Sequence, residues 1–205
     1  MSGGESSGDR VSRRWSEWRA TNDLEEYYAR WRVLEDAGHS AHGEADFIAS
    51  FHPGSVLDAG CGMGRVAIEL ARRGIDVVGV DLDDDLLEFA RRTAPAIEWV
   101  NADLASMQLG RRFDVVAMAG NVMVFCRPTD RGDIIRRAAD HLVASGVLVA
   151  GFEHEPGNDA LTLAEYDQLC ASCHLTLVER WATWSRDPFE GGSYSVSVHC
   201  PTSGD

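Results

Sequence analysis

Ten residues constrain this chain more than any others: Val56-Leu57-Asp58-Ala59-Gly60-Cys61-Gly62-Met63-Gly64-Arg65. A short apolar run, expected to be a buried strand, leads into three glycines at alternate positions. Val66 to Arg73 follow with helical spacing and stop at Gly74. Glycine is required where a turn takes positive φ or a ligand presses on bare backbone. Strand, glycine turn and helix start together predict the cofactor corner of a doubly wound α/β sheet.

The pattern is G-x-G-x-G, not the G-x-G-x-x-G that cradles a dinucleotide pyrophosphate, and Asp58 precedes it by two residues. A carboxylate there would repel phosphates and suits a ligand with cationic groups, such as S-adenosylmethionine with its ammonium and sulfonium. The other reading is a tight strand-helix turn that holds nothing.

Further strands are expected at Ile75–Asp81, Ile97–Asp103, Phe113–Gly120 and Val147–Phe152, separated by helices near Asp84–Thr93 and Thr129–Val143, the latter stopping at Gly146. Asp81 ends the second strand, where a carboxylate can accept from both hydroxyls of a ribose; otherwise it caps the next helix, a task for which Asp83 is better placed. Asp103 with Leu104 is either an adenine bracket or a plain turn. After a helix near Leu163–Cys173, His174–Trp184 and Tyr194–His199 flank a glycine-containing turn and read as a hairpin. Alternating strands and helices with a closing hairpin make one mixed sheet in one domain. Residues 1–14 are expected to be a disordered tail, 15–40 a helical segment that either packs or covers the cofactor as a lid, and 41–201 the main domain. Tyr28 and Trp31 are the lid's candidate contacts to cofactor and acceptor.

All 19 basic residues are arginine, so chemistry that needs a lysine, such as a P-loop or a Schiff base, has no donor. A net charge of −14 disfavours nucleic acid and anionic membranes. Five cysteines suit a reducing compartment. Cys170 and Cys173 have C-x-x-C spacing, but no second pair follows, so no metal is expected. There is no apolar run of membrane-spanning length and no signal peptide at the start, which makes a cytoplasmic protein, monomer or homodimer, the expectation.

At these motifs the chain resembles the class I S-adenosylmethionine-dependent methyltransferases, over about residues 40–200. The resemblance is carried by Leu57–Arg65, Gly79-Val80-Asp81-Leu82, Asn101-Ala102-Asp103-Leu104, and Phe113-Asp114 with Gly120-Asn121. It implies a Rossmann-like, seven-stranded sheet ordered 3-2-1-4-5-7-6 with strand 7 antiparallel. The implied cofactor contacts are Asp58, Ala59, Gly60, Cys61, Gly62, Gly64, Arg65, Asp81, Leu82, Asp103, Leu104 and Ala119. Met63 stands where Thr or Ser is more usual. Ala119-Gly120-Asn121-Val122 is neither the Asn/Asp-Pro-Pro-Tyr/Phe motif of amide and nucleobase amine methylation nor a Pro-Cys, and it looks similar to small-molecule enzymes. The expected reaction is in-line methyl transfer to an N or O nucleophile of a small acceptor, leaving S-adenosylhomocysteine. Asn121, Phe125, Trp181, Trp184, Arg186 and Tyr194 are the candidate acceptor pocket, with packing as the other reading of the tryptophans. His154 and Glu153 are candidate bases or plain loop residues. Two rivals stand beside this reading: a non-catalytic binder of the same cofactor and a nicotinamide oxidoreductase.

Overall fold

A computed structural model describes residues 11–24, 26, 42–154 and 160–202. Its helices are α1 (Arg13–Thr21), α2 (Gly43–Ala49), α3 (Arg65–Arg72), α4 (Asp84–Thr93), α5 (Val122–Phe125), α6 (Arg131–Asp140) and α7 (Leu163–Ser172). The strands are β1 (Ser55–Ala59), β2 (Asp76–Asp81), β3 (Glu98–Asn101), β4 (Phe113–Met118), β5 (Leu142–Glu153), β6 (Leu175–Trp181) and β7 (Tyr194–Pro201). They form one seven-stranded sheet ordered β3-β2-β1-β4-β5-β7-β6. The first five run parallel, and β7 lies antiparallel between β5 and β6.

Both faces are covered, so the central strands are near-continuous apolar runs. Leu57, Ala59, Val78, Val80, Val116 and Met118 pack with Ile134, Ile135 and Tyr166 on one face. Val56, Val77, Val115, Ala117, Val149 and Val198 pack with Phe47, Ile48, Ala67 and Leu70 on the other. The period of two along β1 therefore turns Asp58 to the same side as Val56, the side of α3. Leu82-Asp83 follows β2, and Asp83 accepts from the N–H groups of Asp85 and Leu86 at 3.1 and 3.4 Å as the N-cap of α4.

Two boundaries differ from the sequence expectation. Helix α6 ends at Asp140, and Leu142–Gly146 already belongs to β5. Gly146 is no helix stop. A Cβ there would sit 2.9 Å from the Asp114 carbonyl oxygen, where β5 bulges against β4. At the other end, α1 begins at Arg13, inside the stretch read as a tail, because buried Ser12 caps it by accepting from Trp15 N–H at 3.1 Å. Tyr28 and Trp31 lie outside the described residues.

Candidate cofactor and acceptor site

The carboxyl ends of β1, β2 and β4 open into a cavity of about 490 Å³, where a doubly wound sheet places its ligands. Gly60, Gly62 and Gly64 all have positive φ, between +54° and +82°. A Cβ on Gly60 would stand 2.6 Å from a Val122 methyl, and one on Gly64 would stand 2.3 Å from the Trp99 ring. At Gly62 the nearest atom, on Leu86, is 3.9 Å away, so this backbone faces open space in the cavity wall. Trp99 also fills the space beside Gly79, donating its indole N–H to the Ala94 carbonyl at 2.9 Å.

Two carboxylates, Asp58 buried and Asp81 half-buried, frame the glycine turn. Asp58 is 2% exposed and accepts from the Ala67 N–H in the first turn of α3 at 3.1 Å. Burial pushes its pKa up to about 7; the Ala67 bond and Arg65 oppose this, while Asp81 and Glu44 add to it. Asp81 accepts from Gly62 N–H at 2.7 Å through one oxygen and from Asp83 N–H at 2.9 Å through the other. Burial raises it to about 6 despite those bonds. Asp103 also lines the cavity, with one oxygen accepting from Ala105 N–H at 2.9 Å. The thiols of Cys61 and Cys126 are pushed up by burial, Cys126 to about 12, so both are held as thiols at neutral pH.

The cavity brings together Asp58, Gly60, Cys61, Gly62, Arg65, Asp81, Leu82, Asp103, Leu104, Ala119, Asn121 and Phe125. Ala59 and Gly64 are not among its lining residues. Asn121 takes a left-handed conformation, and its carboxamide oxygen accepts from the Glu153 N–H at 2.7 Å.

Six further residues singled out in the sequence lie elsewhere. The hairpin folds back over α2, so Trp184 meets Phe47 edge to face at 5.5 Å and donates to the Tyr194 hydroxyl at 2.7 Å. Their contact explains Gly151, whose Cβ would stand 2.3 Å from the Trp184 ring. Arg186 stacks on Phe47 at 4.4 Å and donates to Ser50. Trp181 donates to Glu179 at 2.9 Å. His154 sits between Phe152 and Phe189, and Glu153 ends β5 pointing to solvent; neither lines the cavity.

Among the cavity residues that the sequence did not single out, four tie its wall together. Ser12, Trp15 and Trp18 come from α1. Trp15 and Trp18 stack at 4.9 Å, and Trp15 meets Phe125 edge-on at 5.4 Å. Ser12 donates to the Phe125 carbonyl, while Arg19 pairs with Asp83 at 2.7 Å and Asp85 at 2.9 Å. Helix α1 thus ties the segment after β4 to the start of α4, across the cavity. Ser12 before an aromatic helix was the available signal. The fourth residue, Glu44 of α2, holds Arg65 through both carboxylate oxygens.

Comparison with known proteins agrees with this geometry. The family described as "Methyltransferase domain" matches residues 56–146. A TehB-like SAM-dependent methyltransferase from Corynebacterium glutamicum superposes with a TM-score of 0.79 at 34% identity, covering 87% of this chain and 97% of that one. Magnesium-protoporphyrin O-methyltransferase of Rhodobacter capsulatus is 38% identical over 39% of this chain and 37% of its own length. The dTDP-3-amino-3,4,6-trideoxy-alpha-D-glucopyranose N,N-dimethyltransferase of Streptomyces venezuelae is 30% identical over 56% of this chain. The chain spans half the length of that second relative.

Proposed function

The chain belongs to the class I S-adenosylmethionine-dependent methyltransferases, and from that footing we propose that it transfers a methyl group in line to a nitrogen or oxygen nucleophile of a small-molecule acceptor. The observation that carries the site assignment is the gathering of Asp58, Asp81 and Asp103 around one glycine turn in one cavity. S-adenosylmethionine supplies the electrophilic methyl on a sulfonium. Asp58, a buried carboxylate raised to about 7, is completed by a cationic group. Asp81 accepts from the ribose hydroxyls, and Asp103 with Leu104 brackets the adenine. Gly62 lets the ligand approach the backbone.

The residues around this site act by holding and enclosing. Transfer between two bound partners gains chiefly from proximity, orientation and exclusion of water. Phe125 with Trp15 and Trp18 forms the apolar wall on the acceptor side. The two curated relatives are named for a porphyrin and an amino-sugar nucleotide, which supports a small acceptor here. A net charge of −14 supports the same reading over nucleic acid. Among the described residues no helix is long and apolar enough to cross a membrane, and we assign the protein to the cytoplasm as monomer or homodimer. We assign residues 41–201 to the catalytic domain and 15–40 to a cover.

Calorimetric titration with S-adenosylmethionine, S-adenosylhomocysteine and NADH, beside an Asp81→Ala variant, tests this. Micromolar binding of the first two, lost in the variant, is expected, followed by methyl transfer in an acceptor screen. Binding of NADH alone would overturn the reading, and binding without transfer to any amine or hydroxyl acceptor would favour a non-catalytic binder.

A further inference from the structure

Helix α1 carries two large apolar side chains, Trp15 and Trp18, and neither enters the core. No residue of the helix is buried, and both indoles stand half-buried in the cavity wall. A polar helix that turns its large apolar side chains to a cavity presents them to what the cavity holds. The indoles stack on each other at 4.9 Å with their planes 13° apart. Phe125 stands across both, at 75° to Trp15 with centroids 5.4 Å apart and at 62° to Trp18 with centroids 6.1 Å apart. The three rings therefore form a corner, not a flat wall. Phe125 follows β4, which lies on the far side of β1 from β2 and β3 in the sheet. The corner is thus set apart from Asp81 and Asp103, at the end of the cavity left for the acceptor.

The polar side chains at this end already hold partners within the protein. Ser12 donates to the Phe125 carbonyl, the Asn121 carboxamide accepts from Glu153, the Cys126 thiol donates to the Val122 carbonyl at 3.1 Å, and Arg127 donates to Asp130. Among the described residues, this end therefore offers ring faces and edges where a polyol would need a set of hydrogen-bond partners. Aromatic rings attract one another in stacked or edge-to-face pairs with centroids roughly 4.5–7 Å apart. A flat ring lodged in a corner makes one contact of each kind at once. A puckered saturated ring lacks both the face to stack and the polarised edge to point. Resting on the methyltransferase reading, we infer that the acceptor is a planar aromatic molecule, its ring held in the corner of Trp15, Trp18 and Phe125 and its amine or hydroxyl turned to the sulfonium. The nucleophile's lone pair forms the new bond to the methyl carbon, the carbon–sulfur pair stays on sulfur, and the nucleophile's proton passes to solvent.

The test titrates 2-naphthol, 2-naphthylamine and their saturated decahydro counterparts by calorimetry, with and without S-adenosylhomocysteine, into the wild-type chain, Trp15→Leu and Phe125→Leu. Each pair of probes shares its carbon skeleton and its nucleophile and differs in the π system. The aromatic probes are expected to bind about tenfold tighter than the saturated ones, the scale of two aromatic contacts. Leucine keeps apolar bulk, so each variant is expected to bring the two classes within about twofold of each other. S-adenosylhomocysteine affinity is expected to be kept in both variants, which also reports a folded site. Saturated probes that bind as tightly as the aromatic ones, or no binding of either class, would overturn the inference. So would an equal loss of S-adenosylhomocysteine and naphthol affinity in the variants, which would make the rings a cover for the cofactor. A wild-type chain that binds no S-adenosylhomocysteine would overturn the cofactor reading instead, and the aromatic-to-saturated ratio is then read on the ligand-free chain.

Discussion

Asp58→Asn should make the ligand-free protein more stable at alkaline pH while costing it cofactor. The asparagine keeps an oxygen for the Ala67 N–H but removes the buried charge. Burial raises Asp58 from 3.8 to about 7. For an acid raised on folding, the native state holds the proton more tightly. Its stabilising contribution is complete below about pH 4 and is lost as pH rises through 7. At about 1.4 kcal/mol for each tenfold in proton affinity, the ionised carboxylate costs the fold about 4 kcal/mol at pH 8. For a chain of this size that is roughly 8–16 °C in Tm. Thermal unfolding of both forms, without ligand, at pH 5 and pH 8 measures it: the variant should gain at pH 8 and gain less than half as much at pH 5. The linked effect is on binding. A cation beside Asp58 favours its ionised form, so wild-type affinity for S-adenosylhomocysteine should fall about tenfold from pH 8 to pH 6, and this dependence should shrink in the variant. Equal loss of stability at both pH values would refute the reasoning, because the carboxylate would then be worth more as a hydrogen-bond acceptor than it costs as a buried charge.

Gly60→Ala combines a left-handed φ with a 2.6 Å approach to Val122 and should cost about 2–4 kcal/mol in urea unfolding. Adding Val122→Ala should relieve the clash but not the backbone strain, giving less destabilisation than the sum of the two. Arg19→Gln removes the pairs to Asp83 and Asp85 and should change stability by less than about 1 kcal/mol. The same variant should release S-adenosylhomocysteine several-fold faster, read in stopped flow through Trp15 and Trp18; unchanged release would mean that α1 does not cover the ligand. His199 is buried beside Tyr166 and lowered to about 4, so the fold loses its contribution as pH falls from 6.5 towards 4. His199→Gln should flatten that acid limb by about 2 kcal/mol, measured by denaturant unfolding at pH 7 and pH 5.

The sheet was legible because each central strand carries its apolar run in consecutive residues, and Asp81 and Asp103 mark the ends of the second and third. The glycine turn was legible because three positive-φ positions leave three glycines in the sequence. What was hidden depends on partners far along the chain. Ser12 meets Phe125, and Arg19 meets Asp83 and Asp85, so the sequence puts the start of α1 in a tail and leaves the rest open between packing and covering until the fold brings those segments to it. Trp184 and Tyr194 were placed towards the acceptor because a hairpin's alternation says which residues share a face but not which layer covers that face. Gly146 was read as a helix stop because the same residue marks both a helix end and a close approach of two strands.

Trp99 gives the chain a history as well as a shape. Its ring occupies the space that a side chain at Gly64 or Gly79 would need, and it lies one strand away from the first and directly beside the second. These three positions therefore cannot drift independently. A lineage that enlarges residue 64 or 79 must first shrink residue 99, and one that has lost the tryptophan is free to lose glycine 79, which has no positive φ to preserve. Glycine 64, held by its φ of +82° as well, would be the later loss. Among relatives, a small residue at position 99 should accompany the first departures from glycine at position 79, so the order of substitution in this family can be read from the size of one ring.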